Sequence, residues 1–189
     1  TGDGEGAGFE LDVARLADFS SLNDKLNTGG FHGARSLRVR DQASLTMGSM
    51  KAKDIRVSVD KGALTLNGTL DASGSDAGGI GLYSCDNLTL GEGAWLNAYA
   101  SGDGENGGTV EIESVSGKLD LAAGKVNVSG GAGGSGGKVR TIAAQTGSVA
   151  DYATPLADSG TATAFKVGAP EGVTALVEGQ VILFKATNA

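Results

Sequence analysis

Two acidic glycine loops, Gly2-Asp3-Gly4-Glu5 and Gly102-Asp103-Gly104-Glu105, carry the densest metal-ligating chemistry in the chain. Carboxylates on flexible glycine backbone are calcium ligands, but a calcium site takes about six to eight oxygens, more than either loop offers. The loops also lack the G-G-x-G-x-D-x-U-x period of calcium-binding β-rolls. Asp3, Glu5, Asp103 and Glu105 are therefore expected at solvated corners, with calcium as the lesser alternative. The glycine run from Gly130 to Gly137 resembles a phosphate cradle only superficially. No G-K-[ST] follows it, and it leads into a strand at Val139 instead of a helix N-terminus.

Glycoside chemistry needs paired carboxylates flanking one bond. Asp60, Asp71, Asp86 and Asp120 fall instead on turns and on different strands. The chain has 1 His and 1 Cys, so His32 and Cys85 have no partners at zinc or redox spacing, and no cofactor is expected. No basic neighbour is placed to activate the Cys85 thiol. Trp95 and Tyr99, close together on one strand region, offer a small sugar-stacking platform. The alternative is that their rings simply fill space at a corner. No enzyme is expected from this inventory.

The elements that hold these residues are short and repetitive. With 33 Gly and only 2 Pro among 189 residues, and no G-X-Y period, the composition demands many tight corners and excludes collagen. The formal charge of −7 speaks against nucleic acid and against a polybasic membrane contact. No apolar run approaches the roughly 18 residues of a membrane-crossing helix, so no membrane insertion is expected. The chain opens without Met or a signal peptide, which points to a mature product or a piece of a longer chain.

One unit recurs along the sequence. It reads Leu119-Asp120-Leu121, Lys125-Val126-Asn127-Val128, a glycine corner, then Lys138-Val139-Arg140. Earlier copies run Leu64-Thr65-Leu66, Leu70-Asp71-Ala72, Ile80-Gly81-Leu82, and Leu88-Thr89-Leu90, Leu96-Asn97-Ala98, Val110-Glu111-Ile112. Apolar residues at every second position put one face inward and leave Thr, Asn and Asp outward. Repetition of three short strands predicts an all-β, right-handed parallel β-helix with about four regular coils, spaced about 4.8 Å apart.

Within that fold three columns are expected. The first stacks Leu37/Val39, Leu64/Leu66, Leu88/Leu90 and Leu119/Leu121. The second stacks Leu45/Met47, Leu70/Ala72, Leu96/Ala98 and Val126/Val128, and the third Ile55/Val57, Ile80/Leu82, Val110/Ile112 and Val139. Outward ladders of Thr65 with Thr89, and of Asp71 with Asn97 and Asn127, are expected alongside them.

The whole of 1–189 is read as a single segment. Residues 1–35 form a partial coil plus a loop insertion, 36–145 the regular coils, and 146–189 irregular strands. In the insertion, near 14–27, Leu16, Phe19, Leu22 and Leu26 predict one or two helical turns capped by Ser20, Ser21 or Asn23 and lying as a lid over a coil edge. Near the C-terminus, Glu178-Gly179 is placed to turn a hairpin, with further coils as the alternative.

Three stretches, residues 62–74, 86–91 and 119–133, together with Asp18-Phe19-Ser20-Ser21-Leu22 and Gly29-Gly30-Phe31, resemble the filamentous haemagglutinin family of secreted β-helical proteins. The resemblance implies a structural or adhesive fibre at the bacterial cell surface. It also implies export of the parent chain by two-partner secretion through an outer-membrane β-barrel transporter, and contact with a host or cell-surface glycan. The family's N-terminal secretion domain has no counterpart here. Two alternatives stand beside this reading. One is a filament whose copies stack end to end, with Leu11 and Val181 at the joined faces; the other is a polysaccharide-binding or glycan-active β-helix.

Overall fold

Period-two alternation becomes strand almost wherever it occurs. The computed structural model describes residues 6–121 and 123–143, and the backbone of four later strands between 153 and 186. Among the described residues the order begins with β1 (Phe9–Val13) and the single α-helix there, α1 (Phe19–Thr28), and then β2 (Ala34–Val39), β3 (Ser44–Met47), β4 (Met50–Lys51) and β5 (Asp54–Val59). Next come β6 (Ala63–Leu66), β7 (Thr69–Asp71), β8 (Gly79–Ser84), β9 (Leu88–Leu90), β10 (Trp95–Asn97) and β11 (Thr109–Ser114). β12 (Leu119–Asp120), β13 (Lys125–Asn127) and β14 (Lys138–Ala143) precede the later strands β15 (Ala153–Pro155), β16 (Ala164–Val167), β17 (Val173–Glu178) and β18 (Val181–Ala186).

These strands build an eight-stranded sheet ordered β1-β2-β5-β8-β11-β14-β17-β18, a six-stranded sheet ordered β15-β16-β13-β10-β7-β4, and a four-stranded sheet ordered β12-β9-β6-β3. From β3 to β14 the chain visits the four-, six- and eight-stranded sheets in fixed rotation. Every pairing among β1 to β14 is parallel.

Register makes the core. Ile55, Ile80, Val110 and Val139 lie side by side in the widest sheet. Leu45, Leu64, Leu88 and Leu119 do so in the narrowest, and Met50, Leu70, Leu96 and Val126 in the third. All are buried in one apolar cluster, and each contributes on the order of 1.5–3 kcal/mol through the area it removes from water.

Two columns differ from the sequence expectation. Leu37 pairs with Val57 in the widest sheet, not with the Leu64 column. Leu45 and Met47 pair with Leu64 and Leu66, not with Leu70 and Ala72, whose true neighbour is the short strand β4. Alternation reports which face a residue takes but not which sheet, and a two-residue strand carries almost no alternation. The third column and the Thr65/Thr89 and Asp71/Asn97/Asn127 ladders stand as expected.

The insertion is a helix that starts and stops later than expected. Asp18, rather than a serine, caps it by accepting the Ser21 N–H at 2.9 Å. It closes in a Schellman motif, with Gly30 N–H on the Asn27 carbonyl and Phe31 N–H on that of Leu26. Gly30 takes φ +73°, which suits glycine.

Phe19 and Leu26 are buried, and Asn23 Nδ2 donates to the Ser49 carbonyl at 3.0 Å, so α1 covers the side where β3 and β4 are the outermost strands. Arg35 fixes it there. Although inward and fully buried, Arg35 donates to Asn23 Oδ1 and Asn27 Oδ1 at 2.9 Å each and to the Phe31 carbonyl at 2.6 Å. Burial pulls this guanidinium below its ordinary pKa.

After β14 the chain direction changes. β17 pairs antiparallel with β14 and with β18, whose register sets Glu178 against Val181, and β16 pairs antiparallel with β13 and β15. The hairpin is thus the form the last strands take.

Candidate functional site

In-register parallel pairing aligns outward side chains into rows that cross the strands. On the widest sheet one row runs Arg56, Gly81, Glu111, Arg140, and its neighbour runs Asp54, Gly79, Thr109, Lys138. Tyr83 lies beyond Gly81 on β8, yet its ring leans back over that glycine. A Cβ there would sit 2.7 Å from the ring, so glycine makes the room.

The leaning ring joins four strands. The Arg56 guanidinium carbon lies 4.5 Å from the Tyr83 centroid, a cation–π contact. Tyr83 Oη donates to Glu111 Oε2 at 2.8 Å, and Arg140 pairs with the other Glu111 oxygen. Burial first, then the hydrogen bond to Glu111 and that carboxylate's charge, push the phenol up to about 12.

Because Tyr83 fills the space over Gly81, the opening remains over Gly79. The result is an open trough of about 290 Å³, lined by Asp54, Arg56, Tyr83, Thr109 and Glu111 over a glycine floor. Asp54 Oδ1 accepts the Gly79 N–H at 3.1 Å, so its carboxylate is fixed at the rim. Arg56 makes no ion pair among the described residues, unlike Arg38 with Asp60, Lys51 with Asp71 and Lys53 with Asp76. The chain does not bring the trough and the sequence candidates together.

Trp95 and Tyr99 project from the outer side of the six-stranded sheet. Trp95, beside Thr69 and Lys125, is 38% exposed, while Tyr99 is partly covered. Asn97 between them donates to Asp71 Oδ1 at 3.2 Å, and its own Oδ1 is buried without a partner. Asp103 and Glu105 are exposed at the corner where Gly104 has φ +79°. Glu105 also borders a depression with Lys53 and Asp76. Asp3 and Glu5 lie outside the described residues, among which no group of three or more metal-ligating side chains gathers.

Leu11 is half-buried on β1, at one edge of the widest sheet, and Val181 opens β18 at the other. His32 Nδ1 lies 3.5 Å from Arg35, and Cys85 Sγ lies 3.8 Å from Ser116 Oγ. The glycine run stacks on the acidic corner above it. A Cβ on Gly131 would strike the Gly102 carbonyl, and one on Gly137 the Gly108 carbonyl, which accounts for glycine at these two positions of the run.

No family model, curated protein or solved structure matches this chain.

The trough residues escaped sequence reasoning because each is ordinary alone. The available signal was phase: Gly79, Gly81 and Tyr83 occupy three successive outward positions of one strand. Two glycines where neighbouring strands carry side chains imply either a bulge or a ring laid across them. Among the described residues no helix is long and apolar enough to cross a membrane.

Proposed function

We propose that this chain is a segment of a right-handed parallel β-helix that serves, without catalysis, as the stem of a secreted or cell-surface bacterial fibre similar to filamentous haemagglutinin. The observation that supports the reading is the fixed rotation of β3 to β14 through three parallel sheets, with aliphatic residues of successive turns in register. Such a stack stiffens a surface-attached rod and presents long rows of outward side chains for adhesion. The parent chain crosses the outer membrane through a β-barrel transporter and meets a glycan-coated surface.

A second reading, end-to-end stacking of copies into a filament, draws on Leu11 and Val181 lying on the two outermost strands of the widest sheet. Electron microscopy of the purified chain tests both. Single rods whose axial repeat is about 4.8 Å agree with the stem. Long filaments that disperse in Leu11→Asp or Val181→Asp favour stacking, and particles with no axial repeat overturn both.

A further inference from the structure

We propose that the trough over Gly79 on the outer face of the eight-stranded sheet binds a neutral saccharide unit. The inference rests on the adhesive reading above and gives it a site. The floor is strand backbone at Gly79, flanked by Asp54 Oδ1, which would lie 3.2 Å from a Cβ there, and the Tyr83 ring covers Gly81. A polar ring can therefore lie in the trough between the Asp54 carboxylate and the Tyr83 ring.

The walls hold what sugar hydroxyls need. Asp54, pinned by the Gly79 N–H, retains acceptor capacity at its second oxygen. Arg56 is held against Tyr83 but makes no ion pair among the described residues, so its N–H groups remain to donate. Thr109, exposed at the far rim, both donates and accepts.

Charge selects the ligand class. Asp54 and Glu111 are balanced by Arg56 and by the Arg140 that pairs with Glu111, and the remaining charged lining residue, Arg35, is buried and already donates to Asn23, Asn27 and the Phe31 carbonyl. The site therefore suits an uncharged polyol that needs hydrogen bonds rather than a charge partner. Other depressions are less suited. The one bordered by His32, Lys51 and Lys53 has both lysines already paired with Asp71 and Asp76.

The test is amide-resolved NMR of the full chain titrated with galactose, glucose, mannose and N-acetylglucosamine, with glucuronate and sialic acid as charged counterparts. At least one neutral sugar is expected to shift the Gly79, Gly81 and Thr109 amides. Arg56→Gln and Thr109→Ala should each weaken that binding about tenfold, with the thermal midpoint unchanged in Thr109→Ala and lowered slightly in Arg56→Gln, which also loses its contact with Tyr83. Shifts confined to Trp95 and Tyr99, shifts from the acidic sugars alone, binding by both variants as tight as the parent's, or no shift with any sugar would overturn the site. Rods with the expected axial repeat alongside a silent titration would leave the stem reading in place and remove only this inference.

Discussion

Tyr83 shows how one side chain converts sheet register into a measurable property. Its phenol is covered, donates to Glu111 and faces that carboxylate, so ionisation is delayed from 10.0 to about 12. A folded-state pKa raised above the unfolded one adds stability that is complete below pH 10 and is lost as pH rises from 10 to about 12. Ultraviolet titration of the phenolate, with Tyr83→Phe subtracted to remove the other tyrosines, should give a midpoint near 12. Glu111→Gln should move that midpoint down toward 10, because the acceptor charge goes while most of the burial stays. A parent midpoint at 10 would mean that the ring does not rest over Gly81.

Among the elements, α1 is the one that breaks the repeat, and its attachment depends on Arg35. A buried guanidinium with amide and carbonyl partners but no carboxylate is costly to desolvate and holds its acceptors tightly. Arg35→Met keeps bulk and leaves Asn23 and Asn27 without their donor. The expected loss is about 2–3 kcal/mol, with faster hydrogen exchange in α1 than in β8. A Met variant as stable as the parent would show that the hydrogen bonds only offset the burial of the charge.

This element also marks the limit of what the sequence discloses. The spacing of Phe19, Leu22 and Leu26 announced a helix, and the phase of β5, β8, β11 and β14 announced their column. Arg35 sits in the inward phase with Leu37 and Val39, where alternation alone predicts an apolar residue. The misplaced Leu37 and Leu45 columns have a related cause. Between β3 and β5 the chain reaches the six-stranded sheet only through the two-residue β4, so counting strands from the N-terminal side assigns each to the next sheet along. The trough was not legible because it arises between strands far apart in sequence, from which side chains are missing as much as from which are present.

At the scale of the whole molecule, the strands from β3 to β14 pair within their sheets with the strands three before and three after them in the chain, so stability should divide by neighbourhood. Leu82 is fully buried, and in register it lies between Val57 on β5 and Ile112 on β11. Leu82→Ala removes packing on both sides and should cost about 2–5 kcal/mol. That cost is felt first by β5 and β11, the strands paired with β8. Native-state hydrogen exchange is the discriminating measurement, since it reports opening strand by strand. In the parent, β5 and β8 should open least readily and β1, with one unpaired edge in its sheet, more readily. In Leu82→Ala the loss of protection should be largest in β5, β8 and β11 and smaller in β2 and β14. An equal loss in every strand would mean that the three sheets unfold as one cooperative unit, and that long-range coupling through the shared core outweighs the contacts between neighbouring strands.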